Sequence, residues 1–594
     1  MRRIARNVPL TLALALAALA PGLAQAQTAT IYVSKSGNDT TGDGTAAAPF
    51  ATISRGEGEL APGEILEIGA GVYDEQLNVD HGGNPSQPAI IRAASGATVI
   101  IQGSRGGGSP RPATSGEALV AITTDHVTLQ GIEIRHSNGT GLRISDASNV
   151  KIVNCKVHDN DRSGVEFDGS GTSITSGWLQ DSQIYSNVLV NSGHTSTSTP
   201  SHAVVVYLAN NVQVTGNTIY TNHHTGVFVA ESSGALVQNN TIRDNFVDNV
   251  YIMESSTANV ARNRVYCTTG AGFDSAGFRP NGIAFEDSAT STGHQVTNNL
   301  VRNCGLSFTW LAGGTGAGMK NTVIANNTFV LGQQHGVILD GGAHAGAFFR
   351  NNLVMQSAGD MIDVGTPSTG IAFSHNAWYG GATAPVAPIA QSSDVTTDCL
   401  LVNSGDAAAA ATSFQIAAGS PCRDKGTAVT QVTTDYFGTA RPQGAAYDIG
   451  AHEASGAATA DAGVKVDGAV KTDGAVKTDG AVKTDGGIKT DGAAKTDGAV
   501  KTDGAAKTDG AAKTDGAAKT DGGVKTDGAA PTADGAAAKD SAAPAGDGSI
   551  GGDKGTTSSG GCSCRVGEDS ASIGSMLGLL ALALLLRGRR RNGR

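Results

Sequence analysis

An asparagine returns in one local setting about once every two dozen residues, and this spacing constrains the fold more than any other feature of the chain. It is Asn217 in VTGNTIYTN, Asn240 in VQNNTIRDN, Asn263 in VARNRVYCT, Asn299 in VTNNLVRNC, Asn327 in IANNTFVLG, Asn352 in FRNNLVMQS and Asn376 in FSHNAWYG. The gaps are 23, 23, 36, 28, 25 and 24 residues, and upstream the same register reads Ile132, Cys155 and Ser182. Each unit carries only short apolar strands, so it cannot bury them alone. The units must stack on one another, as in a solenoid.

Alternation gives the strands. Gly164-Val165-Glu166-Phe167, Gly226-Val227-Phe228-Val229, Asn249-Val250-Tyr251-Ile252, Gly282-Ile283-Ala284-Phe285 and Gly336-Val337-Ile338-Leu339 share one template. Period-two patterning turns Val165/Phe167 and Val227/Val229 inward and the residues between them outward. No helical pattern of useful length lies between about 30 and 455. Short β runs with Gly, Asn, Asp and Ser corners, and no hairpin dipeptides at fixed spacing, favour a parallel coil over a sandwich. Each asparagine then sits at an inward turn and bonds the ones above and below, which satisfies its buried amide. The wide gaps mark loops leaving the stack, at 188–201 and 267–281, and such loops are where function tends to be placed.

These repeats resemble the right-handed parallel β-helix (pectin-lyase-like) superfamily. IYVSKSGNDTTGDGTAAAPFATI with PGEILEIGAGVYDEQLNV resembles the opening coils of secreted β-helix proteins, including polysaccharide lyases. SPCRDKGTAV and TDYFGTARPQGAAYDIGAHE resemble the C-terminal unit of surface proteins called choice-of-anchor Q. The resemblance implies an all-β right-handed parallel β-helix of about a dozen coils over 27–455. Its N-terminal cap and first coils are 27–100 and its C-terminal cap unit is 395–455. It leaves activity open, because this superfamily hosts lyases, hydrolases, esterases, epimerases and non-enzymes.

The ends read differently. Arg2, Arg3 and Arg6 precede an apolar run and Ala24-Gln25-Ala26, the pattern of a secretory signal over 1–26. From 456 to 560 a Lys-Thr-Asp-Gly-Ala unit repeats, too poor in large apolar residues for a core, so a disordered spacer is expected. The segment 561–594 holds Cys562, Cys564, an apolar stretch from Ile573 to Leu586 and a cluster of arginines. That stretch is short for a spanning helix of ~20 residues. The combination resembles the C-terminal sorting tails of myxobacterial surface proteins, which implies retention at the outer membrane surface with Cys562 or Cys564 as the processing or lipidation site. A simple membrane anchor is the alternative.

Residues 27–455 carry 20 Lys+Arg against 35 Asp+Glu, a net charge of −15. A nucleic-acid partner needs a basic track and is excluded as an expectation. Polysaccharide is the expected partner, and a monomer the expected state. Secretion makes disulfides expected: Cys399 with Cys422 in the C-terminal unit, and Cys267 with Cys304, which lie at nearly one register in successive coils. Cys155, in the ladder register, reads as a buried thiol.

Chemistry is sought where coils align acidic groups. Glu231 and Glu254 hold one template position 23 residues apart, and Asp287 holds it in the next coil with Glu286 beside it. Stacked at ~4.8 Å, carboxylates raise one another's pKa or recruit a cation. Glu231, Glu254 and Asp287 are thus the catalytic candidates, and with Glu286 the candidate calcium ligands. Paired carboxylates at such spacing also suit glycoside hydrolysis. Phe228 and Tyr251 point outward on successive coils, with Tyr207, His223 and His224 near; these are the candidate sugar contacts. Trp178 and Trp310 are further ones. A lyase needs a basic side chain, and Arg143, Arg262, Arg264 and Arg279 are available. No polygalacturonase, pectate lyase or mannuronan epimerase motif is present. Gly71-Val72-Tyr73-Asp74-Glu75 matches a pectin methylesterase string but reads as structural, and Asn38, Asp39 and Asp43 as Asx turns. Two functions stay open: a surface-tethered lyase or hydrolase of acidic glycans, and a non-catalytic adhesin or structural surface protein.

Overall fold

The computed structural model describes residues 29–104, 118–187, 202–269, 279–405 and 409–455. The leader at 1–26, the spacer at 456–560, the tail at 561–594 with Cys562 and Cys564, and the loop at 188–201 lie outside the described residues, as does most of the 267–281 loop.

The described chain winds through three parallel sheets in turn. The first has 13 strands, from Thr30–Val33 to Ile371–Ser374. The second has 12, from Gly71–Tyr73 to Ala377–Tyr379. The third has 11, from Leu77–Val79 to Ile362–Val364. Each strand pairs with the equivalent strand one coil away, so Val227 aligns with Val250 and Val250 with Ile283. The interior is built from such columns. Phe167, Val206, Val229, Ile252, Phe285, Trp310 and Leu339 form one, each at most 2% exposed.

The corners explain the asparagine doublets. In Asn239-Asn240, Asn298-Asn299, Asn326-Asn327 and Asn351-Asn352, the first residue turns the corner in the left-handed region, with φ of 58°, 53°, 55° and 55°. Asparagine tolerates that conformation better than most residues. The second residue turns inward and joins the ladder. Asn240 shows the pattern: its Oδ1 accepts from Asn217 N and Nδ2 at 2.9 and 3.0 Å, and its Nδ2 donates to Val214 O and Asn263 Oδ1 at 2.8 and 3.0 Å. The line runs on through Asn299, Asn327 and Asn352 to Asn376. A second ladder, Asn160-Asn187-Asn222-Asn245, fills the corner between the second and third sheets. It ends at Asn249, whose Nδ2 lies 3.3 Å from Cys267 Sγ. Cys267 and Cys304 are disulfide-bonded with Cα atoms 4.9 Å apart, and Cys399 and Cys422 with Cα atoms 5.3 Å apart. Cys155 is a free buried thiol, and burial pushes its pKa up to about 11.

Helix is confined to two short pieces among the described residues, Ile53–Glu57 and a 3-10 turn at Ala411–Phe414. Glu75 caps the first, accepting from Ile53 N and Ser54 N at 2.9 Å each, so the Gly71–Glu75 string is used structurally. Asn38 and Asp43 close local turns, and Asp39 accepts from Ala51 N and Thr52 N. At the other end, the described residues of 395–455 fold back along the corner between the first and second sheets. The corner asparagines Asn298, Asn326 and Asn351 donate to Thr434 O, Asp448 O and Thr427 O at 2.8, 3.1 and 2.7 Å. A fully buried Arg441–Glu453 pair at 2.7 Å holds that unit together.

Candidate functional site

The remaining corner, from the third sheet back to the first, carries the acidic candidates. It uses the same construction as the asparagine corner. Glu231 and Glu254 turn it with φ of 48° and 46°. The next residues, Ser232 and Ser255, form a serine ladder: Ala209 N donates to Ser232 Oγ at 3.1 Å and Ser232 N to Ser255 Oγ at 3.2 Å. Below them an added strand, Thr290–Thr292, pairs with Gly318–Lys320 and extends the wall. The result is a cleft of about 470 Å³ lined by Glu231, Glu254 and Asp287 with Ser232, Ser255, Thr290, Ser291 and Thr292.

The three carboxyls share a register but not an environment. Glu231 is exposed and Glu254 half-buried, with its Oε1 accepting from Ser288 N at 2.8 Å. Asp287 is 3% exposed. It falls on an inward phase of its strand, and its Oδ2 accepts from Trp310 Nε1 at 3.0 Å. Burial raises its pKa to about 6, since water no longer solvates the charged form. Glu286, on the outward phase, accepts from the Tyr251 hydroxyl at 2.5 Å instead. Strand alternation therefore splits the expected set of four carboxylates. Among the described residues, the one group with three ligand atoms within 4.8 Å of one another is Glu57, Asp80 and His81, at the N-terminal end. Glu231, Glu254, Glu286 and Asp287 do not converge in that way.

Beside the cleft, the outer face of the third sheet carries the aromatic candidates. Tyr207, Phe228, Tyr251 and His224 are all half-buried there. The Phe228, Tyr251 and His224 rings form one packed run through His202: Phe228 lies 5.5 Å from Tyr251 and 4.1 Å from His202, and His202 meets His224 edge-on at 4.5 Å. His223 stacks on Phe246 at 4.7 Å. Much of each ring face is thus taken by a neighbour, and edges and polar atoms remain for a ligand. Burial holds the His224 imidazole down to about 4 and drives His202 well below its ordinary range. Burial, then the nearby Glu231 and Asp168, raises the Tyr207 phenol. Asp248, buried and accepting from Asn281 Nδ2 at 2.9 Å, is raised to about 6 by burial.

Other candidates lie elsewhere. Trp310 is 1% exposed and belongs to the interior column, because its strand places it on the inward phase. Trp178 stands on the first sheet under Lys151, whose Nζ lies 5.2 Å from the ring centre. Arg143 is engaged by Glu166 at 2.6 Å, Arg262 by Asn239 and Arg279 by Asn303. Sequence reasoning missed His202, which precedes its strand in the register of Asp248, and the serine ladder. Its signal was legible as the repeated E-S-S in ESSGA and ESSTA.

Known proteins match in parts. Residues 31–195 match the model of a Pel9A-like right-handed β-helix region, and residues 178–329 that of a right-handed β-helix region. Both stretches thus match right-handed β-helix regions, each over less than a third of the chain. The uncharacterized protein YwoF of Bacillus subtilis (strain 168) is 28% identical over 120 residues, 19% of this chain and 25% of that protein. The chain thus spans about a quarter of that relative's length. Among solved structures, pectate lyase Pel9A aligns over 72% of this chain and 97% of its own at 18% identity and TM-score 0.45. XylC in complex with xylose aligns over 71% and 98% at 11% identity and TM-score 0.45.

Proposed function

We propose that this chain is a surface-tethered β-helix protein that binds polysaccharide at the corner cleft, with Asp287 and Glu254 as the carboxyl pair that would carry hydrolysis. One observation carries the reading: carboxyl groups from three consecutive coils line a single cleft among serine and threonine hydroxyls. Hydroxyls and carboxylates together are the partners a sugar ring requires. Asp287, protonated to higher pH by burial, suits the acid role, and the more exposed Glu254 suits the nucleophile or base. Hydrolysis is favoured over elimination because no lysine or arginine is among the residues lining the cleft. The match of residues 31–195 to a Pel9A-like β-helix region supports a glycan-handling scaffold. Tethering rests on the leader at 1–26, the spacer at 456–560 and the tail at 561–594, with Cys562 or Cys564 as the attachment point.

The test is incubation of the purified protein with a polysaccharide panel, with and without calcium. New reducing ends without ultraviolet-absorbing unsaturated product are expected, and Asp287→Asn should abolish them. Unsaturated product would replace hydrolysis with elimination. Binding without cleavage would make the protein an adhesin.

A further inference from the structure

The charge and lining of the cleft narrow its ligand. Glu231, Glu254 and Asp287 contribute three carboxyls, and the other lining residues are uncharged. One basic residue, Lys320, stands in register with Thr292 at the rim but does not line the cleft. Ser291 lines it too. Its side chain is beside Asp287 and the residue is 6% exposed, yet Oγ makes no hydrogen bond of good geometry. A buried hydroxyl in that condition calls for a partner that both donates and accepts, as a sugar hydroxyl does. A uronate or sulfate would instead bring a like charge against the carboxyls, in a cleft whose walls weaken screening. We infer that this cleft selects an uncharged, hydroxyl-rich glycan segment and rejects polyuronates and sulfated glycans. The inference rests on the reading of the cleft as a glycan site, and it reverses the acidic-glycan expectation drawn from the sequence.

The test is retention of the full-length protein on immobilised neutral, uronate-bearing, sulfated and amine-bearing glycans. It is run at low salt and at ~1 M salt, where the Debye length falls to ~3 Å. A neutral glycan should be retained at least roughly tenfold more strongly than any polyanion at low salt, with little change at high salt. The double variant Glu231→Gln/Glu254→Gln should narrow that gap by admitting the polyanion. Stronger retention of a polyuronate or sulfated glycan by the wild type at low salt overturns the inference while leaving the glycan site intact. Preference for the amine-bearing glycan over the neutral one also overturns it, in favour of a cationic ligand. Retention of no member of the panel overturns the glycan reading itself. Loss of the neutral glycan in Ser291→Ala, with thermal stability unchanged, supports the role given to that hydroxyl.

Discussion

Two corners of the coil use one construction and end in opposite states. At the first-to-second corner a left-handed residue is followed by an inward asparagine, and every amide in the line finds partners above, below and on the backbone. At the third-to-first corner a left-handed residue is followed by an inward serine, but the left-handed residue is glutamate and a cleft opens outside it. The first corner satisfies its polar groups from within the chain. The second leaves carboxyls and a buried hydroxyl facing a space the chain does not fill. In a stacked fold the uniform corner is the scaffold, and the corner that keeps its geometry but changes its side chains is the one we propose as the ligand site.

The largest test of this contrast is Asn240→Ala. It removes one end of each of two ladder steps and takes the buried amide partner from Asn217, Val214 and Asn263. A loss on the order of 3 kcal/mol is expected in urea unfolding. A loss below about 1 kcal/mol would mean that the ladder is decoration.

Next is a pH effect at the acidic corner. Burial lifts Asp287 to about 6, whereas the unfolded chain releases that proton near 4. The folded state therefore binds the extra proton in between, and stability falls as pH rises through that window. Asp248 is lifted to about 6 as well and adds to the slope. Asp287→Asn should flatten the fall by on the order of 2 kcal/mol. An unchanged slope would show that Asp287 is solvated.

A smaller effect has the opposite sign. Glutamate suits the left-handed region less well than asparagine. Glu231→Asn should raise stability by up to about 1 kcal/mol and weaken glycan retention, since the shorter side chain withdraws from the cleft. Destabilisation would remove the argument that function keeps glutamate there. Smallest is Tyr251→Phe, which frees Glu286 of one hydrogen bond. A cost of about 1 kcal/mol or less is expected, with a change in glycan retention only if this column touches the ligand.

Much of this architecture is legible in the linear chain because it is periodic. Each residue's partner is its equivalent one coil away, so inward columns, ladder asparagines, the Cys267–Cys304 pair and the alignment of Glu231 with Glu254 follow from register alone. The second ladder was legible too, as an asparagine five residues after four successive register positions: Asn160, Asn187, Asn222 and Asn245. The phase at the strand ends was harder to read. Glu286 and Asp287 are neighbours with equal claims on paper, yet one goes out to Tyr251 and the other in to Trp310.

The sequence by itself determined the parallel coil, its stacked corners and the place of the acidic row, because hydrogen bonding and burial there repeat between equivalent residues. Only the tertiary structure decided which carboxyl is buried, that the outward rings stack on one another, and that Trp310 belongs to the core. It also brought the C-terminal unit onto Asn298, Asn326 and Asn351, across separations such as the 136 residues between Asn298 and Thr434. The physical reason is that these outcomes depend on side-chain packing and on contacts between non-equivalent segments, which no repeat period encodes.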